Sequence, residues 1–178
     1  MEMGRDEAAL ENLEEAFRLE PESELVKKAL CQAHSNLSTA FGRIKNQKQS
    51  EHHFHGAIKN IPDFGPAHLS MGICYTELGR YKDALAKIKE ALKLDKNLSV
   101  EAHYRFGEVY AKLKDIKKAI KHYKESIAVD PVAAMPNLRL GMFYFKLKNY
   151  QDAVEPLRKS IKHSPKYAAE GYFCLGVS

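Results

Sequence analysis

Long apolar runs are absent from this sequence. No apolar stretch approaches the ~20 residues that a membrane-spanning helix needs. The first residues, MEMGRDEAALENLEEAF, are acidic, whereas a secretory signal has a basic segment followed by an apolar one. We therefore expect no signal peptide, no membrane anchor or membrane partner, and a cytoplasmic location.

Cysteine is scarce. The three cysteines, Cys31, Cys74 and Cys174, are odd in number and far apart, and no C-x-x-C pair occurs. Such a pair is the usual signal for zinc binding or thiol exchange. We expect reduced thiols packed between helices of an intracellular protein, with no cofactor.

Catalytic motifs are lacking as well. The chain has no Gly-rich phosphate loop, no G-x-S-x-G elbow and no H-E-x-x-H pair. Its many carboxylates fall at positions that we assign to exposed helix faces, where solubility alone explains them. We expect no catalytic residues and no intrinsic enzyme activity.

The residues that are present favour an ordered, soluble protein, with 44% hydrophobic and 29% charged residues. Charge is unevenly distributed. Residues 1–25 carry nine acidic residues against two arginines, a balance of −7, and the rest of the chain carries +12. A basic body of this kind favours acidic partners, which could be peptides, phosphates or nucleic acid.

A repeat of 34 or 35 residues organises the chain, and small residues mark it at Ser38, Gly72, Gly107 and Gly141. An aromatic residue follows each of them after three positions, a small residue after twelve, a bulky one after sixteen and Pro or Lys after twenty-four. This spacing predicts two antiparallel helices, A and B, that approach closely at the small residues. The Pro or Lys that follows Asp95, Asp130 and Ser164 is expected to end helix B.

The pattern resembles the tetratricopeptide repeat (TPR) family. Its Trp-x2-Leu-Gly-x2-Tyr, Ala-x3-Phe and Pro signature is matched by "HLSMGICY…ALAKI", "HYRFGEVY…AIKHY" and "NLRLGMFY…AVEPL". One departure is systematic, since His68, His103 and Asn137 stand where the family prefers Trp or another bulky residue. The resemblance implies an all-α fold, a right-handed superhelical TPR solenoid of antiparallel helix pairs.

We predict one array over residues 1–178, in six segments. They are an isolated helix B at 6–21, a degenerate repeat at 24–62, repeats at 65–98, 100–132 and 134–166, and an isolated helix A at 168–178. The apolar stretch Tyr172 to Val177 in the last segment is expected to bury itself, either against further repeats or against a second copy of the chain.

The resemblance also implies a peptide-binding groove, because the inner, concave face of helix A commonly binds peptides in this family. Arg105 and Arg139 are equivalent in the repeat, as are Lys112 and Lys146, so they form a basic ladder beside an apolar strip. Arginine can hold a carboxylate through two hydrogen bonds, and the implied ligand mixes acidic and hydrophobic residues. The candidate groove residues are Leu69, Ile73, Tyr104, Arg105, Lys112, Leu138, Arg139, Met142 and Lys146.

Several alternatives remain open. The four basic residues could be solvated without a partner, and the array could be the substrate-recognition region of an enzyme such as a glycosyltransferase. Nucleic acid is a less favoured partner, supported by charge alone. A TPR subclass that clamps the C-terminal carboxylate of heat-shock chaperones is poorly matched, since in either repeat register the clamp is incomplete and in the first only Arg105 fits.

Histidines form two sets. His52 and His55 are three residues apart, but no cysteine or further histidine lies near enough in sequence to complete a four-ligand zinc site, so we expect no metal there. The repeat register places His52, His53 and His55 on the outer face of helix B. His34, His68 and His103 share one position of helix A, where we expect half-buried rings with hydrogen-bonded nitrogens.

Overall fold

The structure is a computed structural model that describes residues 2–176. It divides into two compact units, one ending at Leu98 and the other beginning at Ser99. The described residues form α-helices, short 3-10 turns at Lys96–Leu98 and Pro165–Tyr167, and no strand. The predicted all-α fold of antiparallel helix pairs is confirmed.

The first unit contains two helical hairpins preceded by one further helix. Its helices are α1 (Glu2–Leu19), α2 (Glu24–Arg43), α3 (Gln47–Asn60), α4 (Gly65–Glu77) and α5 (Tyr81–Leu94). Helix α2 pairs with α3 and α4 pairs with α5, while α1 and α4 both pack against α2.

The second unit repeats this arrangement with two hairpins followed by one helix. Its helices are α6 (Ser99–Lys112), α7 (Ile116–Val129), α8 (Ala134–Lys146), α9 (Tyr150–His163) and α10 (Ala168–Gly176). Helix α6 pairs with α7 and α8 with α9; α7 also packs against α8, and α10 against α9. That all six predicted segments form a single array stays a prediction.

The turn inside each hairpin contains one residue with positive φ, and this explains how helix A ends. These residues are Lys45, Gly79, Lys114 and Lys148, with φ between 59° and 76°. The next backbone N–H donates to a carbonyl five residues back, with N to O distances of 2.8 to 3.0 Å. This left-handed turn satisfies carbonyls that the end of a helix leaves free.

Helix B ends where the sequence predicted. The C-caps of α5, α7 and α9 are Asp95, Asp130 and Ser164, all in extended backbone. Each is followed by the Lys or Pro that was expected to stop the helix.

The small residues of the repeat lie at the crossing of helices A and B. Ala84, Ala119 and Ala153 are fully buried. A Cβ built on Gly107 would lie 2.5 Å from the Tyr123 ring, far inside van der Waals contact. The predicted close approach of the two helices is therefore confirmed, and a side chain at Gly107 would force them apart.

Candidate functional site

Four of the apolar candidate groove residues are buried. Leu69 and Ile73 lie in α4 of the first unit, and Tyr104 and Leu138 lie in α6 and α8 of the second. Leu138 is only 1% exposed and belongs to the core that contains Leu157. These side chains hold the helices together, and their surfaces are not available to a ligand in this structure.

Arg105 is occupied by two carboxylates from its own helix. Its guanidinium lies 2.7 Å from the Glu101 carboxylate and 2.7 Å from Glu108, and its side chain is 19% exposed. Burial disfavours the charge, but the two glutamates outweigh it and raise the pKa of Arg105. This arginine already contacts two carboxylates, which the carboxylate of a peptide ligand would have to displace.

Arg139 is the less engaged of the two arginines. Its guanidinium reaches Glu108 at only 3.9 Å. The Tyr104 hydroxyl donates to the same Glu108 carboxylate at 2.8 Å, and burial raises the pKa of Tyr104, which keeps the phenol in its donating form. Arg139 therefore retains capacity for a further carboxylate.

An open apolar cavity of about 420 Å³ lies between α8 and α10. Two predicted groove residues, the partly buried Met142 and the exposed Lys146, contribute to its wall. The remaining lining residues are Phe145, Ala169, Glu170, Phe173 and Cys174. Lys112, the other predicted lysine, is exposed at the end of α6.

The apolar C-terminal segment keeps an exposed face in this structure. Tyr172 and Phe173 are 62% and 69% exposed, whereas Cys174 is buried. Val177 lies outside the described residues. The sequence singled out this segment as one that needs a covering surface, but it did not indicate that α8 and α10 would form a cavity.

The outward assignment of His53 was wrong. His52 and His55 are exposed as predicted, but His53 is buried and its Nδ1 lies 3.1 Å from Nδ1 of His34. Its ring also stacks on Phe41 at 5.4 Å. The repeat register identified the core positions of α3. It did not show that the imidazole of His34 on α2 would cover the side of α3 that carries His53.

The predicted hydrogen-bonded nitrogens of the helix A histidines are confirmed, but two of the three rings are more buried than expected. His34 and His68 are buried and His103 is partly buried. Nε2 of His68 lies 3.2 Å from the carbonyl oxygen of Pro62, and Nδ1 lies 3.2 Å from the Glu90 carboxylate. At the same position of α8, the Asn137 amide donates to the Pro131 carbonyl at 3.2 Å.

A cluster of three ionisable side chains joins α6 to α7. Nδ1 of His103 lies 3.3 Å from Nδ1 of His122, and Oε2 of Glu125 lies 3.0 Å from the first nitrogen and 2.7 Å from the second. Burial lowers the pKa of His122, while Glu125 opposes this shift. Sequence reasoning named His103 but missed the other two. A signal was present, because His53 follows His34 by the same 19 residues that separate His122 from His103.

No helix within residues 2–176 is long and apolar enough to cross a membrane.

Paired helices of fixed spacing, with small residues at each crossing, define a helical-repeat protein. Models of the tetratricopeptide repeat match residues 65–131 and 104–168, which together cover more than half of the chain. The chain belongs to the tetratricopeptide repeat family. This membership supports protein–protein interaction as its general role.

Individual relatives cover different shares of the chain. Hsp70-Hsp90 organizing protein 3 of Arabidopsis thaliana is 30% identical over 92 residues, which is 51% of this chain and only 16% of that protein. A thermophilic TPR protein of Thermus thermophilus superposes with a TM-score of 0.70 and 19% identity, over 97% of this chain and 91% of that one. The BtubC structure from P. vanneervenii superposes with a TM-score of 0.76 and 14% identity, over 98% of this chain and 80% of that one. The two structures support the fold alone.

Proposed function

We propose that this chain is a non-enzymatic interaction scaffold that binds an acidic and hydrophobic peptide segment of a partner protein, with the apolar anchor seated between α8 and α10. The cavity of about 420 Å³ at that place carries the proposal. Apolar, partly enclosed pockets with a few polar groups at the edge are typical binding sites. The partner's apolar side chain would contact Met142 and Phe173.

Two basic side chains of α8 favour an acidic segment. Lys146 lines the cavity itself, and Arg139 lies on the same helix α8 with its guanidinium incompletely neutralised. A carboxylate next to the apolar anchor could pair with either cation, and the apolar surroundings would strengthen the contact. Arg105 would contribute little, because Glu101 and Glu108 already hold it.

The Arabidopsis relative is named for organising two chaperones. Of the positions that form a chaperone-tail clamp, Arg105 is the one that fits here, and two glutamates occupy it. We therefore propose an internal peptide segment as the ligand, in preference to a free C-terminal carboxylate.

Peptide binding measured by fluorescence anisotropy tests the proposal. Peptides that combine acidic and apolar residues should bind equally well with a free or an amidated C-terminus, and both Met142→Glu and Lys146→Glu should abolish binding. Lys117→Glu, a charge reversal at an exposed position of α7, is the matched control and should leave binding unchanged. Binding that requires the free C-terminus, or that survives both cavity substitutions, would refute the assignment.

Self-association through α10 is a second candidate, favoured by the exposure of Tyr172 and Phe173. Sedimentation velocity over a range of concentrations tests it. A dimer in the wild-type chain that is lost in Phe173→Ser would support this interface, whereas a monomer at all concentrations would rule it out.

A further inference from the structure

We infer that His103, His122 and Glu125 form a binding site for a divalent transition-metal ion, with Zn²⁺ as the ion that best suits two imidazoles and one carboxylate. One ligand comes from α6 and two from α7. The two on α7 are three residues apart, so they share one face of that helix.

The distances between the three ligand atoms are close to those of a coordination sphere. Zn²⁺ binds nitrogen and oxygen at about 2.0–2.1 Å, which places ligand atoms about 3.3 Å apart in a tetrahedral site. The three separations here are 2.7, 3.0 and 3.3 Å. An ion about 1 Å out of their plane would lie about 2.0 Å from all three atoms, and shifts of a few tenths of an ångström would open the angles to tetrahedral values.

Oε2 of Glu125 provides an independent indication. This oxygen is buried, and it makes no hydrogen bond of regular geometry despite its short distances to the two ring nitrogens. A buried carboxylate oxygen without a regular partner is unfavourable, and a metal ion would satisfy it. The Glu125 side chain as a whole is 35% exposed, so an ion can reach the cluster from solvent.

Neighbouring aromatic rings hold His122 in place. Tyr110 stacks on it with the two rings 1° from parallel and 5.3 Å apart, and Phe106 lies 5.0 Å away. Ligands whose rings are fixed before binding lose less conformational freedom, so packing of this kind favours metal affinity.

Other hairpins lack the complete set, and this argues against a general structural explanation for the cluster. The positions that correspond to His103, His122 and Glu125 are His34, His53 and Gly56 in α2 and α3, His68, Lys87 and Glu90 in α4 and α5, and Asn137, Pro156 and Lys159 in α8 and α9. Only the α6 and α7 hairpin brings together three potential ligand atoms within residues 2–176.

A bound ion would join α6 to α7 and would leave at least one coordination position for water, since a zinc site with three protein ligands is open. Metal binding should therefore stabilise the second unit. The inference does not depend on the proposed peptide function, because it concerns a different surface.

Metal titration of the untagged, chelator-treated chain tests the site. Zn²⁺ should bind with one equivalent in calorimetry, and Co²⁺ should give the visible absorption of a low-symmetry nitrogen and oxygen site. His122→Gln or the nearly isosteric Glu125→Gln should weaken binding by at least about 100-fold, since loss of an outer-shell partner alone commonly weakens it 10–100-fold.

Two variants in the first unit complete the test. His53→Gln, which disrupts the histidine pair that has no third ligand, should leave binding intact. Lys87→His, beside His68 and Glu90, should raise the stoichiometry to two equivalents. Absence of binding, binding that survives Glu125→Gln in a folded chain, or binding lost in His53→Gln would each overturn the inference.

Discussion

Nδ1 of His34 in α2 lies 3.1 Å from Nδ1 of His53 in α3. At this distance one nitrogen donates a proton and the other accepts it, because two protonated nitrogens would repel each other. Both rings are buried at 8% exposure. The contact between these helices therefore requires at least one neutral imidazole.

Acidification should destabilise the chain through this pair. Burial, followed by the charges of His34 and His52, lowers the pKa of His53 to about 4, and Glu7 on α1 only partly opposes this. The unfolded chain, with a pKa near 6.5, binds the proton first. The stabilisation is thus complete above about pH 6.5 and decreases towards pH 4 at about 1.4 kcal/mol per pH unit for one proton.

Urea unfolding across this pH range measures the effect. His53→Gln should flatten the pH dependence of the unfolding free energy, while His163→Gln, at an exposed position, should not. Equal slopes in His53→Gln and the wild-type chain would contradict the assignment.

Gly107→Ala should destabilise the second unit. The new Cβ would lie 2.5 Å from the Tyr123 ring, which is only 1% exposed. Overpacking of this kind costs about 1–3 kcal/mol. Gly4→Ala in α1 is the control, since nothing lies within 4 Å of its Cβ, and it should be neutral or slightly stabilising. Thermal unfolding monitored by circular dichroism compares the two variants, and equal melting temperatures would contradict this prediction.

Much of the fold was predictable because each repeat places the same residue types at the helix crossings and helix ends. A small residue at a helix crossing, such as Gly107 opposite Tyr123, has few alternatives, and the same spacing recurs along the chain. The ends of helix B at Asp95 and Asp130 were predictable because the same position of the repeat follows each of them. Pro131 disfavours a further helical turn after Asp130, and Lys96 stands at the equivalent place after Asp95.

The candidate site was less predictable. Repeat register shows that Arg105 and Arg139 are equivalent along the sequence, but it does not show which carboxylate each one contacts. Glu101 and Glu108 lie four and three residues from Arg105 and occupy it, whereas Arg139 has no such pair on α8. His53 was misplaced because the register did not show that His34 and Phe41 of α2 would cover this flank of α3.

Asn137 should be replaceable by histidine more readily than by alanine. Its buried amide donates to the carbonyls of Pro131 and Ala133, at 3.2 and 2.8 Å. Asn137→Ala leaves the Pro131 carbonyl without this donor and opens a cavity, which should cost about 1–3 kcal/mol. Asn137→His should recover part of this, because His68 makes the equivalent contact to Pro62 at 3.2 Å. Chemical denaturation of the three proteins tests the order, and a less stable histidine variant would show that ring volume outweighs the hydrogen bond.

Arg105 should contribute to stability more than to ligand capture. The repeat pattern placed Arg105 and Arg139 together in a basic ladder expected to hold a ligand's carboxylates. The structure places Arg105 between Glu101 and Glu108, so Arg105→Gln removes the cation that lies between them and leaves Glu108 with only the longer contact to Arg139, at 3.9 Å. We expect a loss of about 1–3 kcal/mol in the unfolding free energy.

The matched control for Arg105 is Arg18→Gln. Arg18 forms a similarly short ion pair with Glu15, at 2.6 Å, but both side chains are largely exposed and water screens the pair. Arg18→Gln should therefore leave the urea midpoint nearly unchanged. Arg139→Gln should weaken peptide binding, and it should lower the urea midpoint less than Arg105→Gln does. If Arg105→Gln instead abolished binding at unchanged stability, the ligand's carboxylates would displace the two glutamates from Arg105. Arg105 would then belong to the binding surface.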